Sequence, residues 1–254
     1  MRQAMIIQIY EIQNPHDAEL LVDIGVDHVG SVILSRKEWK DPVIKKTVRR
    51  VQEKGGRSAL IPLFSDLDAV CRAVDYYQPD IIHFCEDIHH SDQDAVRGFI
   101  FSQGELKSKF PELGIMRSIP LPKKGEPAAL NFLELARQFE PVSDYFLTDT
   151  RVLNQPVNGF IGITGQTCDW RMAASLVRSC SIPVILAGGI TPENAFDAVI
   201  RVRPAGVDSC TGTNAQGADG RPLRFQKDFN KVKTLISEVR RGGANIAKEK
   251  KEIA

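Results

Sequence analysis

Between Asp149 and Gly212 the chain runs repeatedly through one pattern: a short apolar, β-branched run ends in glycines or small hydroxyl residues, and a helical pattern follows. The stretch holds Leu-Thr-Asp-Thr, then Gly-Ile-Thr-Gly-Gln-Thr-Cys-Asp-Trp (Gly162 to Trp170). Next come Ile-Pro-Val-Ile-Leu-Ala-Gly-Gly-Ile-Thr-Pro-Glu-Asn (Ile182 to Asn194) and Gly-Val-Asp-Ser-Cys-Thr-Gly (Gly206 to Gly212). A strand that ends in glycine and opens a helix lets the main chain approach a ligand, and free N–H groups at a helix start favour phosphate. The same glycines also serve for tight strand-to-helix turns and nothing more. Consecutive turns that finish in Thr-Gly favour the phosphate reading.

Elsewhere the same alternation holds. Strands are expected at Met5–Tyr10, Val26–Leu34, Ser58–Phe64, Asp80–Phe84, Gly114–Ile119 (ended by Pro120 and Pro122), Tyr145–Thr148, Val184–Ala187 and Val207–Cys210. Helices are expected after the Asn14 cap with Pro15 in the first turn, then at Lys40–Lys54, Leu67–Tyr76, Ser91–Lys109, Ala128–Phe139, Trp170–Cys180, Pro192–Arg201 and Phe229–Arg240. Eight alternations with short connections predict α/β architecture as a single (β/α)8 TIM barrel over residues 1–241, with chemistry at the carboxyl ends of the strands. Residues 242–254, Gly then Lys/Glu-rich, read as a charged C-terminal tail, frayed or mobile. A doubly wound open sheet is the alternative, but the first strand-to-helix turn, Tyr10 to Pro15, has no glycine fingerprint for a dinucleotide.

Composition narrows the partners. Of 254 residues 43% are hydrophobic, enough for a core without disulfides or metal. The net charge of +1 and the lack of a long basic block before the last residues argue against nucleic acid. Five scattered cysteines without a Cys-x-x-Cys pair read as reduced thiols in a cytoplasmic protein. The apolar N-terminal run is too short for a signal peptide, and no run long enough to cross a membrane is present. His83, Cys85, Glu86, Asp87, His89, His90, Asp92 and Asp94 crowd after the fourth strand, but their spacing matches no recognised zinc site, so neither metal nor cofactor is expected.

The motifs from Asp149 to Gly212 resemble the phosphoribosylanthranilate isomerase family. Leu-Ala-Gly-Gly-Ile-Thr-Pro-Glu-Asn is almost unaltered, Gly-Ile-Thr-Gly-Gln-Thr-Cys-Asp-Trp stands for the family's Gly-Gly-[Ser/Thr]-Gly-x-x-Phe-Asp-Trp, and Val-Asp-Ser-Cys-Thr-Gly for Val-Asp-Val-Ser-Ser-Gly. Asn14 to Ala18 and Gly25 to Gly30 extend a weaker match to the N-terminus. The resemblance implies an Amadori rearrangement of an aminoaldose phosphate. An acid protonates the ring oxygen, the ring opens to an iminium, and a base removes the C2′ proton. Carried over by motif, Asp149 is the acid. Phosphate is expected on Gly162, Thr164, Gly165, Gly188, Gly189, Thr211 and Gly212, with Asp208 as a supporting substrate contact.

The base departs from the pattern. The family's first strand reads Lys-x-Cys-Gly with cysteine as base; counted back from Asp17-Ala18, those slots hold Gln8, Tyr10 and Glu11. A phenol is a poor base at neutral pH. Glu11 and His83 are the replacement candidates, and Tyr10 could orient a sugar through its hydroxyl. The family's arginine for the anthranilate carboxylate falls on Arg36 with a shortened loop, and on Trp39 without a gap. The expectation is an isomerase acting on a phosphorylated small molecule, with a homodimer left open. The alternative is a non-catalytic or substrate-shifted phosphosugar-binding barrel. A Schiff-base aldolase fits less well, since none of the expected strands carries a lysine.

Overall fold

The computed structural model describes residues 5–88, 93–127 and 131–253. Eight parallel strands, β1 (Ile6–Ile9), β2 (His28–Ile33), β3 (Arg57–Pro62), β4 (Ile81–Phe84), β5 (Gly114–Leu121), β6 (Tyr145–Thr150), β7 (Val184–Leu186) and β8 (Gly206–Ser209), close in sequential order into a barrel. The seam joins β1 to β8, with Gln8 opposite Asp208 on one side and His28 on the other. Helices α1 (Pro15–Asp23), α2 (Pro42–Glu53), α3 (Leu67–Tyr77), α4 (Gln93–Lys109), α5 (Phe132–Phe139), α6 (Trp170–Ser179), α7 (Ala195–Val202) and α8 (Phe229–Ile253) connect the strands and follow the last. The single (β/α)8 barrel expected from the alternation is the fold. Residues 89–92 and 128–130, which include the first residues of the helices expected at Ser91–Lys109 and Ala128–Phe139, lie outside the described residues.

Local chemistry explains most boundaries. Asn14 accepts from the Asp17 amide at 2.9 Å, and Pro15 occupies the turn where its missing N–H costs nothing. Asp169 caps α6 through the amides of Arg171 and Met172. Two expectations fail for physical reasons, and one element is new. β5 does not stop at Ile119 but runs through Pro120 to Leu121; β4 has already ended opposite Arg117, so one edge of β5 no longer needs partners. Gly242 and Gly243 do not end the last helix. A Cβ on Gly242 would stand 2.8 Å from the Val199 side chain, so the glycine lets α8 lie close against α7, and the helix continues with Ile246 buried and Arg203 paired to Glu249. Finally, an antiparallel hairpin, β9 (Asn214–Gln216) and β10 (Pro222–Lys227), lies between β8 and α8.

Alternation along the strands sends Ile7 and Ile9 outward to a core shared with α1, α7 and α8, and Ile6, Gln8 and Tyr10 inward. The barrel interior is filled by Ile6, Tyr10, Ala59, Ile81, Met116, Leu147, Ile185 and Ala187. Beneath them Arg57 donates to the Tyr145 hydroxyl at 2.6 Å, and the Tyr145 ring meets His28 edge-on. Tyr10 needs room. A Cβ on Gly30 would fall 2.0 Å from its ring, so the aromatic plate lies against bare backbone on β2.

Candidate active site

Two adjoining recesses open at the carboxyl ends of the strands. They share Asp149, Ile163, Asp208 and Cys210. The first, about 350 Å³, is formed by main chain after β6, β7 and β8: Thr164, Gly165, Gly188, Gly189, Thr211 and Gly212 line it. Its curvature demands glycine. Gly165, Gly188 and Gly189 have φ of 63°, 86° and 63°. A Cβ on Gly189 would stand 2.5 Å from the Gln166 backbone, and one on Gly212 would stand 2.3 Å from the Ile190 carbonyl. Asn194 fixes the turn, donating to the Gly189 carbonyl at 2.8 Å and accepting from the Thr191 amide at 2.9 Å. Among the described residues the amides of Gly188 and Gly189 donate no hydrogen bond, which leaves them for an anion.

The second recess, about 570 Å³, runs from Asp149 towards β1 and β4 and is lined by Tyr10, Glu11, Val32, Ile61, His83, Cys85 and Leu147, among others. Its roof is the β6–α6 connection. Ile161 donates to the Cys85 carbonyl at 2.8 Å, and Asp87 donates to that of Gly159, so Val157, Phe160 and Gly162 are laid over the mouth. Of the seven residues expected at the phosphate, Gly162 alone lines this recess rather than the glycine cup. Its φ is 121°, and a Cβ there would stand 2.8 Å from Asp149 Oδ2. Ile163 holds φ 60°, a left-handed conformation rare for a β-branched residue and of the kind that gathers at functional sites.

Two carboxylates face the junction. Asp149 accepts from the Thr150 amide at 2.8 Å, and burial raises its pKa to about 7. Asp208 is raised to about 7, first by burial and further by the charge of Asp149, while Gln8 Nε2, 3.2 Å away, favours its ionised form. Gln8 is itself held from below by His28 at 3.1 Å, whose pKa burial lowers to about 4. Such a pair carries a proton near neutrality and can deliver it.

The other candidates differ in availability. Tyr10 and His83 meet, hydroxyl to Nδ1 at 2.9 Å, and His83 Nε2 contacts Ser118 at 2.8 Å. Burial drives the Tyr10 pKa well above its ordinary value and that of His83 down to about 3. Both are neutral at pH 7 and both rings are occupied. Glu11, φ 64°, is buried; its Oε1 accepts from Arg224 Nε at 2.7 Å and Nη2 at 2.5 Å, whereas Oε2 is buried with no hydrogen-bond partner among the described residues. Arg36 lines neither recess: it is exposed and pairs with Asp66 at 3.3 Å. The thiols of Cys85 and Cys210 are pushed up first by burial, and that of Cys210 further by the charge of Glu11 and a hydrogen bond to it, so both stay protonated. Arg224 was missed in the sequence because it belongs to the hairpin; the Asp219-Gly220 pair between two short runs is the turn signal that marks it.

Of the acidic and histidine residues after β4, Glu86 pairs with buried Arg117 and Asp87 with Arg151 at 3.4 Å, while His89, His90 and Asp92 lie outside the described residues. Among the described residues no group of three or more metal-ligating side chains stands together, and no helix is long and apolar enough to cross a membrane.

A family model described as N-(5′-phosphoribosyl)anthranilate (PRA) isomerase matches residues 7–238. The N-(5′-phosphoribosyl)anthranilate isomerase of Methanosarcina acetivorans is 25% identical over 239 residues, 92% of each chain. In fold, the chain is similar to the N-(5′-phosphoribosyl)anthranilate isomerase of Pyrococcus furiosus, with a TM-score of 0.66 at 20% identity over 93% of this chain and 99% of that one. It is also similar to a phosphoribosyl anthranilate isomerase solved in complex with reduced 1-(o-carboxyphenylamino)-1-deoxyribulose 5-phosphate, with a TM-score of 0.63 at 17% identity over 93% of this chain and 98% of that one.

Proposed function

The chain belongs to the phosphoribosylanthranilate isomerase family, and from that premise we propose that it isomerises N-(5′-phosphoribosyl)anthranilate to the corresponding 1-amino-1-deoxyribulose 5-phosphate, in tryptophan biosynthesis in the cytoplasm. One observation carries the reading: the glycine cup and the deeper recess meet at Asp149 and Asp208. A phosphate on the amides of Gly188 and Gly189 places the ribose at that junction and the aromatic amine in the apolar recess beneath Phe160 and Ile161.

In this reading Asp149, still protonated near neutrality, gives its proton to the ring oxygen, and the C1′–O bond breaks to leave an iminium. Glu11 then takes the C2′ proton through Oε2, and the enolamine tautomerises to the ketone. Glu11 is preferred over the other replacements for the family's cysteine. Its Oε2 has no geometric hydrogen bond among the described residues, with the Cys210 thiol as its polar neighbour, whereas Tyr10 and His83 are spent on each other. Asp208, held by Gln8, supports the sugar hydroxyls.

Complementation of a tryptophan-requiring strain that lacks this isomerase tests the activity, and steady-state rates of Asp149→Asn and Glu11→Gln test the roles. Each substitution should lower kcat by about 10²- to 10⁴-fold while phosphosugar binding by calorimetry persists. Growth unaffected by Asp149→Asn removes that residue from the mechanism, and binding without turnover in the unaltered chain leaves a barrel that only holds its ligand.

A further inference from the structure

The hairpin between β8 and α8 is built to aim one side chain. β9 and β10 pair at Gln216 opposite Pro222 and at Asn214 opposite Lys227, so β10 spends five residue steps where β9 spends two. The surplus is a bulge that contains Arg224 and Phe225, the latter at φ 63°. Bulges beside active sites re-aim side chains, and this one carries Arg224 to Glu11. Its base is pinned: Lys227 donates to the Cys210 carbonyl at 2.8 Å and to Asn214 Oδ1 at 2.5 Å, and Lys231 donates to the Asn214 carbonyl at 3.0 Å. The guanidinium lies 4.8 Å from the centre of the Phe225 ring, which helps fix its plane.

Both donors that Arg224 presents go to the same oxygen. Nε and Nη2 reach Glu11 Oε1 at 2.7 and 2.5 Å, and Oε2 is buried with no hydrogen-bond partner among the described residues, on a residue that lines the recess. A carboxylate gripped through one oxygen by two charge-assisted hydrogen bonds has its plane fixed and its other oxygen left out of the ion pair. Glu11 itself stands in a left-handed conformation that costs a glutamate energy, and the ion pair offsets it. We propose that Arg224 is a positioning residue for the isomerisation: the hairpin clamps Oε1 of Glu11 so that Oε2 is presented to the C2′ proton. The proposal rests on the reading of Glu11 as the base.

The experiment is a kinetic cycle on the full chain with Glu11→Gln, Arg224→Ala, Arg224→Lys and the double variant Glu11→Gln/Arg224→Ala. Loss of the clamp should lower kcat about 10- to 100-fold, the worth of charge-assisted hydrogen bonds, with KM within about twofold. Arg224→Lys, which keeps the charge but forfeits the fork, should recover part of the loss, and added guanidinium should partly restore Arg224→Ala. The double variant should be no slower than Glu11→Gln alone, because Arg224 acts only through that carboxylate. If Arg224→Ala fails to fold, Arg224→Lys carries the test through its kcat. A rise in KM with kcat intact would make Arg224 a substrate contact and overturn the proposal. So would additive losses in the double variant. Full activity of Glu11→Gln would instead fell the reading of the base itself, whereas a dead Glu11→Gln beside a fully active Arg224→Ala would fell the clamp alone.

Discussion

In the proposed mechanism Asp149 serves as the acid because its side chain is difficult to ionise. Burial brings its pKa to about 7, and Asp208, its charged neighbour, is brought to the same range. The two titrate as a pair. In the free enzyme kcat/KM should therefore fall on the alkaline side with a midpoint near pH 7, as Asp149 loses the proton it must donate. Asp208→Asn removes a like charge, so the same limb should move to lower pH; a limb that stays in place, read from pH–rate profiles of both proteins, would uncouple the pair. A second residue-scale expectation concerns Tyr10. Its ring occupies the space that a Cβ on Gly30 would need, so Gly30→Ala should cost about 1–3 kcal/mol by overpacking, measured by denaturant unfolding. The cost should shrink in a Tyr10→Ala background.

At the scale of elements, α8 offers the sharpest expectation. Truncation after Arg241 removes Gly242, which seats the helix on Val199, the buried Ile246, and the Glu249 partner of Arg203. The loss of the buried isoleucine alone amounts to about 2 kcal/mol, so the thermal midpoint should drop by about 4–8 °C. An unchanged midpoint would return residues 242–253 to the status of a dispensable tail. The sequence read as a tail there because glycine followed by Lys and Glu is the ordinary signature of a helix end, and only the neighbouring α7 shows that the glycine is a contact surface. The strands and the glycine cup were legible for the opposite reason. Their signals are local: β-branched runs, Gly188-Gly189, the Asn194 turn. Arg224 and Glu11, 213 positions apart, were not legible as a pair, since nothing in either neighbourhood encodes the other.

For the molecule as a whole, the buried titratable groups set a pH dependence of stability with opposing parts. Asp149 and Asp208 have folded pKa values near 7, above their ordinary 3.8. Their contribution is fully present below about pH 4 and is lost as pH rises through about 7. His28 and His83, lowered to about 4 and about 3 from 6.5, act in the other direction. Their contribution is present above pH 6.5 and lost as pH falls through those values. The carboxylate part is isolated by comparison with an Asp149→Asn/Asp208→Asn variant. Its thermal midpoint should gain on the unaltered protein steadily from pH 4 to pH 7 and then level off. A difference independent of pH would mean that the two groups ionise as freely in the fold as outside it.

The barrel's seam joins its first strand to its last, and both contacts that tie the mouth across it, Gln8 to Asp208 and Glu11 to Arg224, span at least 200 residues. During synthesis, then, a nascent chain that has already formed most of its cylinder still lacks both of these contacts. On the proposed role of Arg224, the full rate waits until the hairpin emerges and its arginine reaches Glu11, so most of the activity should arrive late rather than grow with each added strand.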